Sequence, residues 1–343
     1  MKKLLLIGPT HNPIHLTNFY NLVQDYFDDV RIVADDSFEL CRSYQLSFSL
    51  KNPITLFKNV RELRKIIYEY EPTVIQVHQA NSYALIANLA NKRKFPLILT
   101  TWGSDVLLLP KRNLFYKMLV KYSLRKSDYL TANANFMAEA IKKLVDRPVL
   151  VANYGIDYKG ITLPINKEKI IYSNRFHTEL YRIVEIVNGF SKFVKNHPDW
   201  KLIVAGNGPL TSELKSIVKE KCPANSVEFV GFVSSNINKE NYLKSTIWVS
   251  FPISDGTAIS LYESMGYGCI PVTSNLPATK EVIKHNENGI IVDNDLEKGF
   301  EQALTLELEK VQELNQKIII KTATKDVNKV KFESIYNEIH GIK

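Results

Sequence analysis

Two acidic residues with seven others between them, Asp255 and Glu263, lie in the stretch Ser254-Asp255-Gly256-Thr257-Ala258-Ile259-Ser260-Leu261-Tyr262-Glu263. An apolar run precedes it, and Gly268 closes it ahead of another, so the pattern reads strand, turn, helix, strand. The free amides and positive dipole end of a helix amino terminus suit a phosphate. With the helix starting at Thr257, Glu263 lies roughly 9 Å along the axis, at about 1.5 Å per residue. One carboxylate before the helix and one along it can then grip two ends of a nucleotide sugar, with the diphosphate between. Ionised carboxylates are pure acceptors and suit sugar hydroxyls. A solvated helical carboxylate is the other way to read Glu263.

Further candidates stand at strand ends. Arg175 follows an apolar run, and a guanidinium fork matches phosphate oxygens; an ion pair is the alternative. Gly206-Asn207-Gly208-Pro209 follows the next run. In the first half, His15, with His11, Asn12 and Thr17 beside it, follows the first strand, and His78 and Asp105 follow later ones. All point toward one carboxyl-end crevice. Asp105 is the candidate for orienting acceptor or donor hydroxyls. For His78 and His15 a satisfied strand-end histidine is an equal or better reading. Asp293-Asn294-Asp295 has a D-x-D form, yet its place between a strand and a helix favours an N-capping turn.

These residues need a scaffold of alternating strands and helices. Apolar runs at 4–7, 30–33, 74–77, 97–100, 129–132 and 148–151 alternate with helical patterns at 16–26, 56–70 and 83–90. The pattern then restarts, with strands at 170–173, 201–205, 227–229, 247–251, 270–273 and 289–292. Helices are expected at 180–195, 210–220, 258–267 and 327–342. The fold class is α/β, with two doubly wound domains in tandem. Residues 1–157 form the first and 158–325 the second, with 326–343 a helix crossing back to the first. At 343 residues and 45% hydrophobic content the chain can bury two cores. The three cysteines are scattered, which argues against a disulfide or metal framework.

In order and spacing, these motifs resemble retaining glycosyltransferases of family 4, which have the GT-B fold of two Rossmann-like domains with an interdomain cleft. Asp255-x7-Glu263 is similar to the family's E-x7-E signature, with Asp in place of the first Glu. His78 stands as in its "D-V-V-H" segment, and Thr101-Trp102-Gly103-Ser104-Asp105 resembles "T-x-G-S-D" of a subset that builds surface polysaccharides. Asn153-Tyr154-Gly155-Ile156-Asp157 resembles "N-G-V-D"; Gly206-Asn207-Gly208-Pro209 matches "G-x-G-P"; Glu281 with Asn288-Gly289 matches "E-x-I…N-G". The resemblance implies that Asp255 binds donor-sugar hydroxyls and Glu263 the ribose. Amides around Gly256, Thr257 and Ala258 would meet sugar and diphosphate, Arg175 the diphosphate, and Gly206 and Gly208 the nucleotide. Catalytic roles fall to Asp105, Asp255 and His78, and a binding role to His15. Leu180 stands where many members have lysine; Arg182 is the candidate to replace it. The implied activity is metal-independent hexosyl transfer, without a cofactor, from a UDP- or GDP-sugar to a saccharide acceptor, lipid-linked and destined for lipopolysaccharide or another bacterial surface polysaccharide. A nucleotide-sugar epimerase of the same fold, and a non-catalytic partner or sugar-binding subunit, are the rival readings.

The net charge is +8. No acid lies between Asp105 and Asp128, whereas Lys111, Arg112, Lys117, Lys121, Arg125 and Lys126 do, with Phe115, Met118, Leu119 and Tyr122 on a neighbouring helical face. Such a helix can rest on anionic lipid; equally, its apolar face can pack in the core. No interleaved aromatic and basic platform suggests nucleic acid. The opening apolar run is too short for a signal peptide. A cytoplasmic protein is expected, peripheral on the inner membrane if the basic helix docks.

Overall fold

The computed structural model describes residues 1–10, 13–50 and 52–342. The chain divides into two compact units, Met1–Tyr154 with Lys325–Lys343, and Gly155–Thr324. In the first unit, β1 (Lys3–Ile7), β2 (Asp29–Ala34), β3 (Ser43–Gln45), β4 (Val74–His78), β5 (Leu97–Thr100), β6 (Tyr129–Ala132) and β7 (Leu150–Val151) form one sheet. Its order is β3-β2-β1-β4-β5-β6-β7 and every pairing is parallel. Strands covered on both faces read as unbroken apolar runs, as Leu4, Leu5, Leu6 and Ile7 do, all fully buried.

The helices are α1 (Pro13–Val23), α2 (Pro53–Tyr70), α3 (Ser82–Asn91), α4 (Ser104–Leu107), α5 (Leu109–Arg112), α6 (Leu114–Lys126) and α7 (Asn135–Leu144). Leu63 and Ile67 of α2, Ile86 of α3, Leu119 and Val120 of α6 and Met137 of α7 share one core on one sheet face. Leu16 and Phe19 of α1 belong to the core on the other. Where one helix was expected over 16–26, α1 ends at Val23 and a 3₁₀ turn, Gln24–Tyr26, follows. The strand expected over 148–151 is only Leu150–Val151.

The second unit repeats the scheme. Its strands are β8 (Glu168–Ser173), β9 (Lys201–Ala205), β10 (Val227–Gly231), β11 (Ser245–Ser250), β12 (Ile270–Ser274) and β13 (Ile290–Val292), in the parallel order β10-β9-β8-β11-β12-β13. The helices are α8 (Ile183–Asn196), α9 (Thr211–Lys221), α10 (Ser235–Lys244), α11 (Ile259–Gly266), α12 (Pro277–Lys280), α13 (Leu296–Leu304) and α14 (Leu308–Thr322). The helix expected from 180 is broken: Glu179–Tyr181 is a 3₁₀ turn, and Arg182 is left-handed, with φ 50°. Its guanidinium lies 4.2 Å from the Phe251 ring centre, and its Nε donates to Glu185 at 2.9 Å. The side chains thus anchored fix the break ahead of α8.

The last helix, α15 (Lys325–His340), belongs to the first unit. Phe332, Ile335 and Tyr336 complete the core around Phe19 and Phe27. The Tyr26 hydroxyl donates to Asn337 at 2.7 Å, and the Asn153 amide donates to Asn328 at 3.1 Å. Among the described residues no helix is long and apolar enough to cross a membrane.

Candidate functional site

In each sheet the strand order reverses at one point, between β1 and β4 and between β8 and β11, and doubly wound sheets bind ligands in the crevice this opens at the carboxyl ends. In the second unit Arg175 leaves β8 and Asp255 follows β11, so the two meet there. Arg175 Nη2 lies 2.5 Å from Asp255 Oδ2, and Nη1 donates to Ser260 Oγ at 2.9 Å. The Tyr181 ring, 4.3 Å away, backs the guanidinium. Burial works against its charge, but Asp255 and Tyr181 outweigh that and raise its pKa. The ion pair is within the unit, and Asp255 remains one-quarter exposed while Arg175 is only 9% so.

The helix after this cluster starts later than the sequence suggests. The chain bends at Gly256, Ala258 is the extended N-cap, and α11 begins at Ile259. Glu263 therefore lies about 6 Å along the axis from its start, not 9 Å. No side chain caps this end, so its first amides are open to an acceptor. Glu263 Oε2 accepts from the Tyr242 hydroxyl at 3.0 Å and from Asn238 Nδ2 at 3.4 Å. Burial raises its pKa against those bonds.

Behind Glu263 stands a network absent from the sequence reading. Asn174 donates to Tyr242 at 2.7 Å and to Asn238 at 3.0 Å, and accepts from the Trp248 indole at 2.9 Å. The Tyr172 hydroxyl donates to Asn238 at 2.6 Å. Every member has a fixed partner, so Glu263 is held in one orientation. Gly206 and Gly208, expected at the nucleotide, also meet a packing demand within the unit. A Cβ on Gly206 would lie 2.6 Å from the Arg175 carbonyl oxygen, and one on Gly208 would run into the His177 backbone. These glycines let the turn after β9 press on the Arg175–His177 backbone, so they position the arginine. Arg182, expected to replace a lysine at position 180, is engaged with Glu185 and Phe251, and Leu180 is 39% exposed. Asp295 caps α13 by accepting from the Lys298 amide at 3.1 Å, as the D-x-D turn suggested. Among the described residues no group of three or more His, Cys, Asp or Glu gathers as a metal site.

In the first unit the three candidates converge on Trp102. Asp105 is 4% exposed, and its oxygens accept from the amides of Ala80 (2.8 Å), Gly103 (2.8 Å) and Trp102 (3.1 Å). Burial raises its pKa, opposed by those amides. The expectation that Asp105 orients substrate hydroxyls is corrected: its acceptor capacity is spent on backbone, and it positions the turns after β4 and β5. The Trp102 indole donates to His78 Nδ1 at 2.8 Å, which places the His78 proton on Nε2. His78 is 1% exposed, and burial, then His15, lowers its pKa from 6.5 to about 3, so it is neutral. Its Nε2 meets no partner among the described residues. The His15 ring lies 4.7 Å from Trp102, and its Nδ1 is 2.5 Å from the Tyr154 hydroxyl. His11 and Asn12 lie outside the described residues.

Two parallel-sheet Rossmann-like units of this kind define the GT-B fold class. Residues 157–325 match the family model described as glycosyl transferases group 1, and residues 4–134 match that of glycosyl transferase 4-like proteins. A glycosyltransferase from Rickettsia africae superposes with a TM-score of 0.81 at 17% identity, over 100% of this chain and 99% of that one. Anabaena HepE in complex with UDP and glucose superposes with a TM-score of 0.82 at 12% identity, over 98% and 100%. At these identities the likeness establishes the fold. An exopolysaccharide phosphotransferase of Streptomyces coelicolor is 30% identical over 115 residues, 32% of this chain and 12% of that protein. The matched stretches span only 12–34% of the first three curated relatives' lengths.

Proposed function

We propose that the chain is a retaining, metal-independent glycosyltransferase that moves a hexosyl group from a UDP- or GDP-sugar to a lipid-linked saccharide acceptor in surface-polysaccharide synthesis. The observation that carries this reading is the cluster at the amino end of α11. There Arg175, Asp255 and Ser260 are bonded together, and Glu263 is fixed one turn on by Tyr242 and Asn238. The diphosphate sits at the open amides of α11 beside Arg175. Asp255 takes donor-sugar hydroxyls. The ribose bonds Glu263 through Oε1, which accepts from none of the described residues.

As the bond from the anomeric carbon to the diphosphate breaks, negative charge grows on the leaving oxygen. Arg175 and the helix amides are already aimed at it, which lowers the barrier more than flexible water would. The acceptor hydroxyl bonds the same face of that carbon, and its proton passes to the departing phosphate oxygen. A membrane-bound acceptor suits a chain whose basic helix α6 leaves Leu114, Phe115 and Met118 in solvent.

Calorimetry with UDP, GDP, ADP, CMP and TDP tests the donor site, starting from UDP, the nucleotide bound to the Anabaena neighbour. One nucleotide should bind selectively, and Glu263→Ala should weaken it at least tenfold. No binding by folded protein overturns the reading in favour of a non-catalytic subunit. Epimerisation of UDP-N-acetylglucosamine without an acceptor would make the chain an epimerase instead. EDTA should leave turnover unchanged; its loss would refute metal independence.

A further inference from the structure

Single exposed apolar side chains are ordinary, but a group of them on one rim beside unpaired cations is not. In the first unit such a group is shared by two helices. At the start of α6, Leu114, Phe115 and Met118 are 72%, 60% and 57% exposed, while Leu119, Val120 and Leu124 on the opposite side fill the core. The expected core packing therefore holds for Leu119, Val120 and Leu124 and leaves Leu114, Phe115 and Met118 uncovered. At the start of α2, Ile54 and Phe57 are 79% and 73% exposed. Helices in a parallel doubly wound unit run opposite to their strands, so both starts lie on the carboxyl-end rim. They flank α3, about 20 Å apart at two helix spacings.

Lys111, Arg112 and Lys117 surround the first apolar point, and Lys58 and Arg61 the second; all five are exposed. Of these, only Lys58 is in an ion pair among the described residues, with Glu62 at 3.9 Å. We propose that this rim is a two-point membrane-docking face, with Ile54, Phe57, Leu114, Phe115 and Met118 inserted at the headgroup boundary of an anionic bilayer and the five cations on its phosphates. Charge selects the occupant. A second copy of the chain would set this cationic rim against its own like charges, whereas an anionic lipid surface complements them. A dimer on this face is thus the outcome the proposal excludes.

Flotation of the whole protein with vesicles of phosphatidylcholine, with and without phosphatidylglycerol, tests the assignment without any nucleotide. Binding should require the anionic lipid and weaken with salt. Each cation removed should lower the partition coefficient about fivefold. Phe115→Ser with Met118→Ser should release most of the bound protein, and so should Ile54→Ser with Phe57→Ser, because both points contribute. These positions face solvent, so UDP binding and melting temperature serve as controls that should not move. Wild-type protein that does not float, or variants that float as well as it does, would overturn the proposal. So would an apolar pair whose loss turns a dimer into a monomer without vesicle binding. Failure of the donor reading would show instead as absent nucleotide binding with flotation intact.

Discussion

Replacing Asp105 by Asn separates an anchoring carboxylate from a substrate-contacting one. The carboxylate satisfies three amides at once, those of Ala80, Trp102 and Gly103. An Asn amide keeps one acceptor oxygen and turns an NH2 toward the other side. In either orientation the Ala80 or the Gly103 amide then faces a donor. A buried amide left without an acceptor costs roughly 1–3 kcal/mol, and the remaining bonds lose their charge assistance. Relief from burying a carboxylate whose pKa is already raised returns part of this. A net loss of about 2–3 kcal/mol follows, or roughly 4–12 °C in melting temperature for a unit of this size. Thermal denaturation followed by circular dichroism reads it, beside calorimetry of UDP, whose proposed site, at α11 of the other unit, should keep its affinity. An unchanged melting temperature with abolished turnover would refute the anchoring argument and return Asp105 to the substrate.

The neutral His78 carries a pH signature. Its pKa is about 3 when folded against 6.5 when exposed, so its contribution is full above pH 6.5 and is lost as pH falls toward 3. At pH 5 that is about 2 kcal/mol. Guanidinium midpoints at pH 8 and 5 should diverge in the wild type by more than in His78→Asn, and equal slopes would contradict it. Tyr242→Phe removes the hydroxyl that orients Glu263 and should weaken nucleotide binding about tenfold, the worth of one hydrogen bond to a charged group. Calorimetry decides, and undiminished affinity would mean Glu263 needs no such support. Gly208→Ala pushes a methyl into the His177 backbone and should cost about 1–3 kcal/mol, with weaker binding through the displaced Arg175. A normal melting curve would show that the two turns can part freely.

Hydropathy made the α/β class legible because buried parallel strands announce themselves, as Leu4 to Ile7 and Leu97 to Thr100 do. Once strand ends are known, a reversal of strand order brings Arg175 and Asp255 together without any knowledge of side chains. What stayed hidden was small, or depended on direction. Strand β3 has three half-exposed or exposed residues and no apolar run. Helix α10 buries only Asn241 and Tyr242, too little for a stripe, so its Asn238 and Tyr242 went unnoticed behind Glu263. The start of α11 slid two residues because Thr257 and Ala258 have no capping bond to mark it. Asp105 was placed after the right strand, but its oxygens turn back to the amides of Ala80, Trp102 and Gly103, a direction that no spacing encodes. Trp102 stands at the unspecified position of T-x-G-S-D, whereas its indole is the hub that His78 and His15 share.

The return of α15 bears on the order in which a ribosome can finish this protein. The chain's first unit leaves the exit tunnel early, yet Phe19 and Phe27 wait for Phe332 and Tyr336 to close their side of the sheet. Everything from Gly155 to Thr324 is translated in between. At about 5–20 residues per second that is a delay on the order of ten to thirty seconds. During that interval one face of an otherwise formed sheet has α1 on it but lacks α15. The second unit, contiguous in sequence, can fold before the first is complete. Biosynthesis therefore inverts the N-to-C order, and an arrest or nonsense codon just short of α15 would leave a finished second unit tethered to an aggregation-prone first.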